Sequence, residues 1–364
     1  MKQYYILLLL MLLPTMALAQ ASGGQVTRPV KKQQGGNNSP KQKVVREITY
    51  ESTLSAEEKR IWNEEKAREK EKIRILAYKL KSQGLEPTTF GGFSEGLSWC
   101  KNKNGEICAI DRNGNVVLSL PSIVKKVRPF KNGFAVVERS SSDANKSYEI
   151  GVIDKKGNVI IPFGKYWIIS NNSEGVFFAV SYNNRCGYIN EKGNTVIPFI
   201  YEAEMGYGSD DIDDHSFHEG LACVKKDGKY GYVDKEGRVV ILPIYKFAHR
   251  FSEGLAGVSL EKKDGYIDKN GDMVIPFSTG IWGTHQFSCG LALLIKSDNK
   301  EYFINPNGTT VIKTKLAGDE NNISFKFSED LVAICPNGAK SGKWGYMDKQ
   351  GNIVIPGLYS SAGD

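Results

Sequence analysis

F-S-E-G-L-A-G-V at 251–258, D-G-Y-I-D-K-N-G at 264–271 and M-V-I-P-F at 273–277 form the clean copy of three phrases that recur seven times between Phe93 and Tyr359. The Gly of the first phrase falls at Gly96, Gly133, Gly175, Gly220, Gly254 and Gly290, with Asp330 in its place in the last copy. The Asp or Asn that closes the second phrase falls at Asp111, Asp154, Asn190, Asp234, Asp268, Asn305 and Asp348. Both markers keep one period, a unit of 34 to 37 residues with longer spacings where loops are inserted. A repeat of that kind fixes the architecture before any single residue is interpreted.

The phrases have a physical reading. In D-K-K-G-N at 154–158 and D-K-E-G-R at 234–238, the Asp bonds nearby backbone N–H groups and the Gly three residues on accepts a positive φ, which makes a tight hairpin turn. The flanking runs, G-Y-V-D at 231–234 and R-V-V-I at 238–241, are β-branched and aromatic and read as its paired strands, with G-L-A-C-V at 220–224 as a third. Pro162, Pro198, Pro243, Pro276 and Pro356 follow the V-I run and either end the ladder or confine that strand to an edge. Adjacent apolar residues in G-Y-I-D and V-I-P point to opposite faces, so both faces of a unit are apolar and each unit needs its neighbours. Phe93, Phe130, Phe217, Phe251, Phe287 and Phe327 recur as buried anchors between units.

The phrases resemble the WG-repeat family, also called KWG repeats, a bacterial exported β-repeat marked by E-G-L-A, G-K-W-G-Y-I-D and V-I-P. Gly342-Lys343-Trp344-Gly345-Tyr346-Met347-Asp348 matches best, whereas Lys229-Tyr230-Gly231 has Tyr for Trp, Arg185-Cys186-Gly187 has Cys, and the copy around Tyr302 has lost the Gly. Variation at the Trp position argues against a ligand contact required in every copy. The expected fold is an all-β repeat array of seven short β-meander units preceded by one α-helix. Seven units also suit a seven-bladed propeller, whose blades need four strands and about 40 to 45 residues. The shorter unit favours an open twisted array. L-E-P-T-T-F at 85–90 is a candidate strand to complete the last copy.

Four segments are expected: a signal peptide over 1–19, a disordered tether over 20–52, a charged helix over 53–87 and the repeat domain over 88–364. Lys2, the apolar run at 6–13 and Ala17-Leu18-Ala19 make a secretory leader whose apolar core is too short to span a bilayer. The tether is polar and Gly-rich. Ser55-Ala56-Glu57-Glu58 has the spacing of a capping box, Gly84 ends the helix, and Ile73, Leu76, Ala77 and Leu80 form an apolar stripe that would dock on the first repeat as a cap. Glu64 with Arg68, Glu69 with Lys72 and Glu71 with Arg74 are placed to pair across a turn. Residues 1–90 hold 16 Lys and Arg against 9 Glu and so carry the whole formal charge of +7. The repeats are neutral and lack the basic face that nucleic acid demands.

Candidate sites are few. Cys100 and Cys108 flank the K-N-K-N-G-E turn and are placed to form a disulfide in an exported protein. Asp210, Asp211, Asp213 and Asp214 could hold Ca²⁺ but lack a regular ligand spacing, and an ordinary acidic loop explains them. No cofactor motif, zinc spacing or nucleophile motif occurs, so no catalytic residue is expected, and the four histidines read as scattered. The expected function is a non-catalytic exported scaffold that binds an envelope or extracellular protein. The alternatives are a carbohydrate-binding module, in which Trp282, Trp344, Tyr207 or Tyr245 stack on sugar rings, and a purely structural spacer. Trp282 lies in the off-pattern G-I-W-G-T-H segment and is the ligand-binding candidate.

Overall fold

The computed structural model describes residues 55–88, 92–203, 215–298, 300–314, 326–335 and 343–359. The expected leader over 1–19 and tether over 20–52, Tyr207 and Asp210, Asp211, Asp213 and Asp214 lie outside these residues. The chain divides into two compact units, Met1–Val124 and Lys125–Asp364.

In the first unit, helix α1 spans Ala56–Ser82. Ser55 precedes it, its carbonyl accepting the Lys59 N–H, and Leu85 and Gly84 close it by donating to the Leu80 and Lys81 carbonyls. Gly84 sits at φ +67°, as this C-terminal geometry requires. The three anticipated ion pairs form at 3.9, 3.3 and 2.8 Å, all exposed and of little energetic weight. Ile73, Leu76 and Leu80 are buried with Phe93, Cys100, Cys108 and Ile110 of the first copy, so the stripe is a cap.

Each full copy carries one more strand than the sequence shows. In the fifth copy a two-residue lead strand, Phe247–Ala248, pairs with the second strand Leu255–Leu260, followed by the third strand Lys263–Asp268 and the fourth strand Met273–Ser278. Strand order follows the chain and every pairing is antiparallel. Two residues are too few to show an alternation, which hides the lead strand from pattern reading. The segment at 85–90 provides such a strand to the first copy, Glu86 opposite Lys101 and Pro87 opposite Cys100, rather than to the last. The third and fourth copies share one seven-stranded sheet, because Thr195–Glu202 runs on until Glu202 pairs with Lys225.

The Gly of the second phrase and the Pro of the third are one structural unit. Opposite Gly265 the fourth strand bulges: Tyr266 pairs with Ile275 but Asp264 pairs with Ser278, two residues past Pro276. The bulge pushes the Ile275 carbonyl toward Gly265, where a Cβ would lie 2.7 Å from that oxygen. Gly187, Gly231 and Gly345 meet Ile197, Ile241 and Ile355 carbonyls in the same way, at 2.6, 2.5 and 2.2 Å. The sixth copy has Tyr302 for the Gly and no Pro in Thr310–Lys313, and there Tyr302 and Phe303 pair regularly with Lys313 and Ile312. The first copy, with Cys108 for the Gly, is regular at the same place. Pro is tolerated because its missing N–H falls in the bulge.

Copies within Lys125–Asp364 interlock through their third strands, buried on both faces. Tyr188, Tyr232, Tyr266 and Phe303 lie 4.7 to 5.2 Å from the anchors Phe217, Phe251, Phe287 and Phe327 of the following copy, ring centroid to centroid. In return the hairpin-turn glycine of each following copy rests on the buried Ile of the fourth strand behind it, as Gly237 on Ile197, Gly271 on Ile241, Gly308 on Ile275 and Gly351 on Ile312. Inside the first unit, Gly114 rests in the same way on Leu76 of α1. The helix thus presents to the first copy what a preceding repeat presents to the others.

Candidate functional site

The sheets of Lys125–Asp364 have two chemically different ends. One holds the S-E-G-L and D-K-x-G turns. In S-E-G-L the two central residues both take positive φ, 55° at Glu253 and 83° at Gly254, and Ser252 and Leu255 exchange backbone hydrogen bonds. This is the two-residue hairpin turn usually signalled by Asn-Gly, so Glu-Gly did not announce it. Seven such bridges recur, from Ser94 with Leu97 to Ser328 with Leu331. A left-handed Glu costs on the order of 1 kcal/mol. Its carboxylate offsets that by reaching the next copy, where the N–H groups of Gly220, Gly254 and Gly290 donate to Glu174, Glu219 and Glu253 at 3.1, 3.0 and 2.9 Å. Lys235 and Lys269 add ion pairs to Glu174 and Glu219 at 3.2 and 3.0 Å. In the D-K-x-G turns each Asp or Asn accepts two backbone N–H bonds, as Asp348 does from Gln350 and Asn352, and the Asn352 amide with these N–H groups holds the Asp348 carboxyl below its usual range. At this ladder end the repeated Glu side chains join successive copies, and the repeated Asp and Asn side chains close their own turns.

Three histidines that read as scattered occupy one repeat position, two residues before the anchor. The buried hydroxyls of Tyr188, Tyr232 and Tyr266 donate to the carbonyls of His215, His249 and His285 at 2.6, 2.6 and 2.8 Å. Burial drives all three phenols well above the ordinary value. It also pushes the His285 imidazole down to about 4, with His249 adding to the effect. In the third copy the anchor position holds Asn172, buried and accepting Asn132 at 3.2 Å while donating to Glu191 at 3.2 Å.

The opposite end holds the turns between second and third strands and the start of each lead strand. Among the fully described turns, length and sequence differ from copy to copy, from the seven residues 141–147 to the two at 261–262. Tyr148, Trp167, Tyr182 and Phe247 are 44, 41, 49 and 45 % exposed at this loop end. A groove of about 610 Å³ opens there between the fifth and sixth copies, lined by Lys246, Phe247, Glu261, Lys262, Thr279 and Ile281. The Phe247 ring is held edge-on by Tyr230 and His249. This end has the variable loops and exposed rings of a binding surface.

The residues anticipated from sequence fare differently. Tyr245 is buried against Phe277 and is not a sugar platform. Trp344 is half-buried and pairs with Tyr359. Trp282 lies on the lead strand Ile281–Thr284 at the same repeat position as Trp167. Cys100 and Cys108 are direct cross-strand partners and stand as free thiols, Cys108 donating to the Cys100 carbonyl at 3.6 Å, with burial pushing Cys100 up to about 12. Sequence reasoning missed Trp167 and Tyr182; the signal available was an aromatic just before a lead strand and another in a hairpin turn. Among the described residues no helix is long and apolar enough to cross a membrane.

No curated protein matches the chain. Solved structures similar in part include a computationally designed protein, Ika8, 14% identical over 74% of this chain and 86% of that one with a TM-score of 0.43. BamB from Moraxella catarrhalis is 12% identical over 71% of this chain and 81% of that one, TM-score 0.37. A eukaryotic initiation factor is 11% identical over 74% and 78%, TM-score 0.47. The model of the WG containing repeat matches residues 109–140, 150–186, 187–206, 209–230, 230–263, 265–278 and 344–364. The sixth copy, which lacks both the Gly and the Pro, falls outside those stretches and still forms a four-stranded sheet. Repeat geometry and family match agree, and the chain is a WG-repeat protein.

Proposed function

We propose that this protein is an exported, non-catalytic scaffold whose loop end holds a partner protein of the bacterial envelope or exterior. The observation that carries this reading is the division between the two ends. At the ladder end the repeated polar side chains are taken up in joining copies or closing their own turns, while the loop end varies between copies and exposes aromatic side chains. The leader-like sequence at 1–19 supports export. Affinity capture from envelope extract with the chain lacking residues 1–19 tests the reading, beside a Phe247→Asp/Leu260→Asp variant at the loop end and a Val240→Asp variant on a fourth strand. The expected result is a reproducible protein partner held by the native chain and by Val240→Asp and lost from the loop-end variant. Capture that all three chains share, or none, overturns it. N-terminal sequencing of the protein recovered from cells is expected to begin at Gln20; an intact Met1 overturns export.

A further inference from the structure

Trp167 and Tyr182 occupy, in the third copy, the two repeat positions that line the groove of the fifth. The register establishes this. Ile168 pairs with Val180 as Phe247 pairs with Ser259, and the Trp167 N–H donates to the Val180 carbonyl at 2.8 Å just as the Lys246 N–H donates to that of Ser259 at 2.8 Å. Trp167 therefore corresponds to Lys246 and Tyr182, two residues beyond Val180, to Glu261, both of which line the groove. In the third copy the two groove positions are exposed rings, 41 and 49 % accessible. Lys146, from the long turn of the second copy, holds its ammonium 4.1 Å from the centroid of the Tyr182 ring. Beneath them Tyr166 is buried and stacked on Phe199 at 5.0 Å, so the strand that carries Trp167 is anchored.

We propose that Trp167 and Tyr182, with Lys146 over the Tyr182 ring, form a binding site for a carbohydrate chain, a function that goes beyond the protein-partner reading. A pyranose presents a C–H face and an equatorial belt of hydroxyls. The first matches an exposed aromatic face and the second a flexible ammonium donor, whereas an aliphatic partner would be met by aliphatic residues. Among the exposed aliphatic side chains of this unit, Val239, Val240, Met273 and Val274 sit on fourth strands next to the ladder-end turns, while Leu260, Ile200 and Ile244 lie toward the loop end.

The test is affinity electrophoresis of the full chain in gels containing a neutral β-glucan, a soluble chitin derivative or polygalacturonate, with a poly-L-proline decamer as competitor. Retardation by at least one polysaccharide is expected, with the apparent Kd raised about tenfold by Trp167→Ala and by Tyr182→Ala and largely restored in Trp167→Phe. Lys146→Ala separates the sources: it weakens polygalacturonate binding more than neutral-glucan binding if the ligand is acidic, and both equally if it is neutral. Unchanged melting temperatures keep loss of binding distinct from loss of fold. The proposal is overturned if no polysaccharide retards the native chain, if the alanine variants are retarded equally, or if poly-L-proline alone binds through Trp167.

Discussion

The fifth and sixth copies are neighbours with the same four-stranded order and opposite solutions to one steric problem. The fifth has Gly265 facing a bulge at Pro276, and the sixth has Tyr302 facing a regular Thr310–Lys313. The residues that give the family its most visible signature are therefore a matched pair rather than a fixed requirement of the fold. Either the Gly makes room for a proline bulge, or both are absent together. The buried third-strand ring on the next anchor is common to both copies, Tyr266 on Phe287 and Phe303 on Phe327. That contact, not the Trp-Gly dipeptide, joins the copies from the third to the seventh, whereas Val152 and Asn172 hold the two places between the second copy and the third.

The largest expected break in this comparison is Gly265→Val. It forces a branched side chain against the Ile275 carbonyl and should cost about 3 kcal/mol or more, read by guanidinium unfolding. Tyr302→Val at the equivalent place, where the strand does not bulge, should cost about half as much. Equal losses would disconnect the Gly from the bulge. Acid gives the next effect. His285 has a folded value of about 4 against 6.5 in the unfolded chain, so protonation is disfavoured in the fold. Its stabilisation is complete above about pH 6.5 and falls as the pH drops toward 4, by about 2 to 3 kcal/mol. Melts at a series of pH values should show that slope, and His285→Asn should flatten it.

Tyr266→Phe turns the fifth copy into the sixth at this contact and removes the bond to the His285 carbonyl, an expected loss of about 1 kcal/mol. A neutral result would mean the hydroxyl only tolerates its site. Below that comes Glu253→Ala, expected at about 0.5 to 1 kcal/mol for the acceptor lost to the Gly290 N–H. The sixth copy has Cys289 at that turn position, and Cys289→Ala should change stability by less than about 0.5 kcal/mol.

Much of this architecture was legible because the repeat states it seven times. The period, the Asp-to-Gly hairpin turns, the buried Phe anchors and the capping stripe of α1 all follow from local patterns, and local physics decides them. The lead strands were not legible, since Phe247–Ala248 or Glu86–Pro87 become strands only through the partner beside them. The Glu-Gly turn was hidden because its left-handed Glu gains its partner one repeat away, which no local rule sees. The histidines read as scattered because their shared role is played by the backbone carbonyl, to which the side chain gives no clue. The exposed Trp167 and Tyr182 were obscured for a related reason: an aromatic beside a short strand reads as core until a register shows which end of the sheet it occupies.

The junctions between copies have a direction. Glu174, Glu219 and Glu253 reach forward to the next copy, and Gly237, Gly271 and Gly308 lean back on the previous one. An added unit between two interior copies recreates both kinds of contact on each side of itself, so gene duplication inside the array leaves every junction chemically intact. An addition ahead of the first copy would instead have to displace Leu76 of α1 from Gly114. Length variation among relatives is therefore expected to accumulate in the interior, with the helix and its first repeat inherited as a single piece.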